Sequence, residues 1–393
     1  MKKWIHCLLV VWVCAGVSAQ THKTLEETLA ELREPLVLSG GKLTGQGAGD
    51  IRSSLGTAQF VLIGEDHGLA EIPAFSTALF DELVPLGYKN LVIEVGPMAG
   101  RELNRIVHQP DPDVAIQAYE ERYPFSLAFY NMREEFDFLK HARNAAGPKF
   151  HVVGIDQELM GASKLLLETV LSKHLHDEAS APLHLLMEHE QTAYAEAGKT
   201  GNPMQLYMMT ADRREIERVR DQLLKMNDAE SAGLLSSLLE SRDVYQRLSS
   251  SQLASNTTRA LLMKRNWITE RAVDAHGVPE KAVFKFGANH IMKGLNIVNS
   301  REIGNYVAEI ADGLNRPSVH ILIVATKGNQ LRFTGIGKPM QPAPVDLLGP
   351  GQSDFPFAKP LFQRALQQSS EWSVFFAACA NMPIEITTWI LAS

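Results

Sequence analysis

Cysteine is scarce. Of three in 393 residues, Cys7 and Cys14 sit in the apolar N-terminal run, which leaves Cys379 as the sole thiol beyond it and no means of closing an intramolecular disulfide. No Gly-x-Ser-x-Gly turn occurs, so the nucleophile elbow of a serine hydrolase has no support. No phosphate loop follows a strand, because GGKLTGQGAG precedes the first strand and lacks the Gly-Lys-Ser/Thr ending. MEHEQ lacks the second histidine of a zinc-protease helix, and His174, His176, His184 and His189 read as solvated residues of polar helices. Positive charge is also short, 38 Lys+Arg against 45 Asp+Glu without basic clusters, which argues against a nucleic-acid partner. After the N-terminus there is no long apolar run: Asn381, Pro383 and Glu385 interrupt the stretch from Trp372 to Leu391, so no membrane span is expected.

What is present at the start is an address. Lys2 and Lys3, the apolar run Ile5 to Val17 and the ending Val17-Ser18-Ala19 form a secretory signal peptide over 1–19. Cleavage after Ala19 removes two lysines, so the mature formal charge is 36 minus 45, or −9, in a periplasmic or secreted protein. With 45% hydrophobic and 21% charged residues, the rest can bury a large core.

Residues 20–57 read as a lead-in, a helix over THKTLEETLAELREPL and a Gly-rich connector, GGKLTGQGAGD, before a domain spanning 58–393. Apolar strands at 59–64, 89–95 and 149–155 alternate with helices at 71–85, 99–108 and 126–146. The pattern predicts an α/β fold, a mainly parallel central sheet flanked by helices. From about 158 to 275 helical periodicity continues without a strand, the mark of a long inserted helical cap. Strands resume at 282–287, 318–325 and 331–336, with Lys327-Gly328-Asn329-Gln330 as a hairpin turn; SVFFAA near 373–378 closes the sheet, and Pro339 to Pro360 reads as a surface loop.

Four of these strands run into ionisable side chains at their carboxyl ends. QFVLIGEDHG delivers Glu65 and His67, NLVIEVGP delivers Glu94, FHVVGIDQ delivers Asp156, and VFKFGANH delivers His290. In an open parallel sheet those ends converge on one crevice. Two histidines and three carboxylates suit proton transfer or metal ligation. A histidine deprotonates water when a carboxylate holds its tautomer, which makes His67 the expected general base and Glu65 or Glu94 its orienting partner; His290 is placed to donate to the carbonyl oxygen or to take a second proton-transfer role. Arg259 would offer a fixed positive charge. Met208, Met209 and Met263 read as packing residues.

The motifs GEDHGLAEIPAF, IEVGP, YNMREEFDFLKHARN with VVGIDQ, TRALLMKRN and FGANHIMKG, in that order, resemble the erythromycin esterase-like proteins, which belong to a broader group with the ChaN haem-uptake, Tiki and TraB proteins. Gly64, Glu65, His67, Gly68 and Glu71 match the first motif with one residue fewer between Glu and His, as on the ChaN and Tiki side. The resemblance implies that Glu94, Asp156, Arg259, Met263, Asn266 and His290 are the remaining site positions, with Glu71, Asp156, Arg259 and Asn266 in supporting or substrate-binding roles. It implies a cofactor-free hydrolase cleaving an ester or lactone of a small-molecule substrate. The alternatives it carries are a divalent-metal peptidase with His67, Glu65 and His290 as ligands, and a non-enzymatic haem-binding protein.

Overall fold

A computed structural model describes residues 31–346, the strands 372–376 and 388–392, and the single positions 27, 359 and 363. The expected signal over 1–19 and Cys379 lie outside the described residues. The chain opens with β1 (Arg33–Ser39), β2 (Lys42–Thr44) and α1 (Gln46–Leu55). An alternating run follows: β3 (Phe60–Glu65), α2 (Glu71–Leu83), β4 (Asn90–Ile93), α3 (Pro97–Val107), α4 (Pro112–Arg122), α5 (Arg133–Ala146) and β5 (His151–Gly154). The insertion contributes α6 (Ser163–Lys173), α7 (Ser180–Thr200), the single turn α8 (Tyr207–Thr210), α9 (Arg213–Lys225), α10 (Ala229–Leu248) and α11 (Gln252–Glu270). After it come β6 (Ala282–Gly287), α12 (Ile303–Gly313), β7 (Ser318–Ala325), β8 (Lys327–Arg332), β9 (Gln341–Asp346), β10 (Trp372–Phe376) and β11 (Thr388–Ala392).

Nine strands form one sheet in the order β2-β1-β10-β11-β7-β3-β6-β4-β5. All pairings from β11 to β5 are parallel, and β10, β1 and β2 extend the edge antiparallel. β3, β4 and β7 are buried along their whole length, as a sheet covered on both faces requires. Side chains of β3 alternate between two cores. Val61 and Ile63 pack with α2, α3 and α5, while Phe60 and Leu62 pack with Met263 and Trp267 of α11 and with Ile303 and Val307 of α12. The insertion has its own core, around Leu183, Leu186, Ile216, Leu235 and Leu238. Among the described residues no helix is long and apolar enough to cross a membrane.

The α/β architecture and the strand-free insertion match the sequence reading, and several local expectations do not. Residues 33–36, read as the end of a helix, are strand, because Arg33 to Leu36 pair with Trp372 to Phe375. The Gly-rich connector instead holds β2 and the start of α1. The expected hairpin turn at 327–330 and the first residues of the expected strand 331–336 together form strand β8, which pairs with β9 in a separate two-stranded sheet; the turn falls between 332 and 341, over the rest of that expected strand, and β9 lies inside the stretch read as loop. Helix α4 and strand β11 went unread, the latter because its pairing with β7 comes entirely from tertiary context. His174 is buried, its ring bound to Asp177 at 2.7 Å and Asp228 at 2.9 Å, a clasp between α6 and α10 and not a solvated side chain.

Candidate active site

Parallel register does the first part of the assembly. β3 and β6 align Glu65 with Gly287, and β4 and β6 align Ile93 with Lys285, so the residues just past each strand share one level. Beyond β3 the chain turns at Gly68, whose φ of +87° suits glycine. Strand β8 pins that turn: the Leu331 amide donates to Gly68 O at 2.9 Å, and the Gln330 side-chain amide donates to His67 O. His67 therefore folds back over its own strand, and its Nδ1 meets Glu65 Oε1 at 2.8 Å.

Glu94 is the hub. Its Oε2 lies 3.5 Å from His67 Nε2 and accepts the Gly287 amide at 2.5 Å; its Oε1 lies 3.5 Å from His290 Nε2 and accepts from Arg259 Nη2 at 2.6 Å. It does not cap the helix that follows it. Glu158 does that, accepting the Met98 amide of α3 at 2.7 Å. His290, buried in the turn after β6, has its Nδ1 at 3.1 Å from Glu302. A Cβ at Gly287 would stand 2.9 Å from His67 Nε2, so any side chain there would displace the ring.

The supporting residues divide. Asp156 grips Arg259 with both oxygens, Oδ1 at 2.9 Å from Nε, and Asn266 donates to Ile155 O at 2.9 Å and Asp156 O at 3.3 Å, holding the end of β5. Arg259 is thus no surface residue; it is delivered from α11 to two carboxylates of the sheet. Glu71 is not brought in. It is exposed in the first turn of α2 and lines a separate depression with Gln330 and Pro342.

Four contributors escaped the sequence reading. Lys285, fully enclosed in β6, bridges Glu65 Oε2 and Glu135, whose oxygens lie at 2.8 and 2.7 Å, and stands 5.9 Å from the Tyr130 ring centroid. A lysine inside VFKFG and an acid on the apolar face of α5 were signals in plain view. Glu302 and Phe129 carried none. Phe129 lies flat on His67, with ring centroids 3.8 Å apart and planes 11° apart, and holds a φ of +61°, costly for a bulky side chain.

Charge decides the protonation states. The carboxyl groups of Glu65, Glu94, Glu135 and Asp156 face two permanent cations, Lys285 and Arg259, and that of Glu302 faces His290. Burial works against ionisation of Glu65, but Lys285 and then His67 bring it down to about 2. Burial likewise opposes, and His290, His67 and Arg259 outweigh it, in holding Glu94 well below the usual carboxylate range. For His67 burial favours the neutral ring, yet Glu94 and the hydrogen bond to Glu65 raise it to about 10. His67 is therefore an imidazolium at neutral pH. Burial pushes Glu135 up to about 7 despite Lys285.

This donor set does not fit a metal ion. Both oxygens of Glu65 are engaged, by His67 and Lys285, and both of Glu94, by Arg259 and the Gly287 amide. Among the described residues no three His, Cys, Asp or Glu side chains are arranged to hold one. Both ring nitrogens of His67 and of His290 face carboxylates.

The cluster opens into a cavity of about 370 Å³ lined by Glu65, His67, Glu94, Phe129, Arg259 and His290. Behind Phe129 and Arg259 lies a smaller recess of about 70 Å³ walled by Gln157 and by Tyr245 of the insertion.

No family model matches the chain, and no match is found among curated proteins. Solved structures with the same fold include a histidine-to-asparagine mutant of the erythromycin esterase EreC in its open conformation, with a TM-score of 0.62 and 13% identity over 91% of this chain and 97% of that one. A succinoglycan biosynthesis protein aligns with a TM-score of 0.60 and 14% identity over 94% and 97% of the two chains. A Bacillus cereus protein aligns with a TM-score of 0.57 and 14% identity over 94% and 98%. The chain thus shares its fold with the erythromycin esterase-like group that its motifs resemble.

Proposed function

We propose that the protein is a metal-independent hydrolase of ester or lactone bonds that uses its two histidines as an acid and a base. The observation that carries this reading is the row Glu65–His67···Glu94···His290–Glu302, in which one carboxylate stands between two imidazoles at the mouth of a cavity. An imidazolium cannot accept a proton, so the roles expected from sequence exchange. His290, its Nδ1 tied to Glu302, takes the proton of an attacking water at Nε2. His67, whose Nδ1 is tied to Glu65, directs its Nε2–H at the developing oxyanion and returns that proton to the leaving alkoxide. Water oxygen bonds to the carbonyl carbon, the C–O bond to the alkoxide breaks, and one proton passes from water to His290 while another passes from His67 to the alcohol. Proton exchange with solvent restores both rings. Arg259 and Asp156 hold Glu94 in place.

A panel of small esters and lactones tests this, with and without a chelator. The expected result is turnover that survives chelation and falls by about 10²- to 10⁴-fold in His67→Ala and in His290→Ala. Activity abolished by chelation and restored by a divalent ion would instead establish the peptidase type of chemistry. Stoichiometric haem uptake by a protein that hydrolyses nothing in the panel would leave only the binding role. Export belongs to the same proposal: protein recovered from the periplasm or medium is expected to begin at Gln20 by intact mass.

A further inference from the structure

Seven carboxyl side chains are buried among the described residues: Glu65, Glu94, Glu135, Asp156, Glu158, Glu190 and Glu302. Six of them have a hydrogen-bonding or ion-pair partner, at 2.8, 2.5, 2.7, 2.9, 2.7 and 3.1 Å respectively, with Glu190 left out of that series. Burying a carboxyl without a partner is costly, so the seventh asks for an explanation. Glu190 is 3% exposed, on the same face of α7 as Leu183, Leu186 and Met187. It faces a cavity of about 310 Å³ that it shares with Tyr123, Gly161, Lys164, Gln191 and Tyr194. None of these lines the cavity at the sheet's end.

The nearby cation acts on it only through space, favouring its ionised form, while its own contacts lie elsewhere. Lys164 Nζ donates to Arg122 O at 2.8 Å, lies 3.9 Å from Glu168 and stands 5.7 Å from the Tyr123 ring centroid. His189, next in sequence, turns to Glu215 at 3.3 Å. What remains is an acid without a hydrogen-bond partner among the described residues, lining one cavity with Tyr123 and Tyr194, in a space at the small end of ligand sites, which run from about 300 to 1,000 Å³.

We propose that this cavity in the helical insertion is a second binding site, for a small organic ammonium ion, with Glu190 as counter-ion and the rings of Tyr123 and Tyr194 as its walls. A carboxylate supplies charge and hydrogen-bond acceptors, and electron-rich ring faces attract a desolvated cation. The site is independent of the hydrolytic reading, since none of its residues takes part in that chemistry. Burial pushes Glu190 up to about 7 against the pull of Lys164, so the free protein holds a proton there below neutrality. An arriving cation displaces it, and affinity should rise with pH until Glu190 is ionised.

The test is calorimetric titration of the full mature protein with phenethylammonium chloride and, separately, with the uncharged 2-phenylethanol. The ammonium ion should bind at least tenfold more tightly than the alcohol, and binding at pH 6 should release close to one proton, read from buffers of different ionisation enthalpy. Glu190→Gln should lose at least tenfold in affinity, and Tyr194→Leu several-fold. Equal binding of the alcohol, unchanged affinity in Glu190→Gln, or no binding up to about 10 mM overturns the proposal. Should Glu190→Gln fail to fold, proton release by the wild-type protein still decides: its absence on binding overturns the role of Glu190.

Discussion

Replacing Glu94 by glutamine keeps the shape of the hub and removes its charge. At an effective dielectric constant of about 20, a unit charge 3.5 Å from His67 Nε2 is worth about 5 kcal/mol, equivalent to about 3 to 4 pK units. The rise of His67 from 6.5 to about 10 is what this attraction and the hydrogen bond to Glu65 leave after the opposing effect of burial. The His67 side chain is 29% exposed, and solvent reaching the ring screens the interaction, so the change expected in the variant is a fall of about 2 units, with the Glu65 hydrogen bond maintaining the rest. NMR titration of the histidine ring nitrogens measures it directly. A general acid must be protonated, so the wild-type rate should persist on the alkaline side until about pH 10, whereas in Glu94→Gln the alkaline limb should move towards pH 8 and kcat fall by about 10²-fold or more. His67 titrating near 6.5 in the wild-type protein, or an alkaline limb that the substitution leaves in place, would refute the reasoning.

Other consequences follow from the same charges. Lys285→Met removes the one cation between Glu65 and Glu135 and should cost about 3 to 5 kcal/mol in denaturant unfolding, while Lys285→Met combined with Glu135→Leu should recover part of it. The folded-state value of His67 lies above its unfolded value of 6.5, so its stabilising contribution is complete below pH 6.5 and disappears as pH rises through about 10; Tm measured from pH 7 to 10 should fall, and fall less in His67→Ala. Glu65 acts in the opposite sense: its folded-state value of about 2 gives a contribution present above pH 4.5 and lost as pH drops towards 2, a loss that acid titration of Glu65→Gln should lack. Phe129→Gly relieves the positive φ but removes a ring packed on His67 and the core, so it should lower Tm and alter KM across esters of different acyl size.

Much of the site could be read along the chain because a parallel sheet converts sequence position into place. Strands that are apolar throughout must be buried on both faces, parallel neighbours bring their carboxyl ends to one level, and so Glu65, His67, Glu94, Asp156 and His290 were bound to meet if the strands were correctly found. Periodicity also disclosed the helical insertion, though not that Arg259 on its last helix turns inward to Asp156 and Glu94. What tertiary structure alone decided is who faces whom across elements remote in sequence. Lys285 could be seen as an odd residue in an apolar strand, but its partners come from β3 and α5, 220 and 150 positions away. β8 could not be assigned to the task of pinning His67, because its six residues acquire that role only by lying against Gly68. The proton on His67 was beyond any local pattern. His67 keeps its proton because Glu94 and Glu65 outweigh its burial, and those carboxylates are held ionised by Lys285 and Arg259, which another strand and a helix of the insertion bring against them in a medium that screens charges weakly.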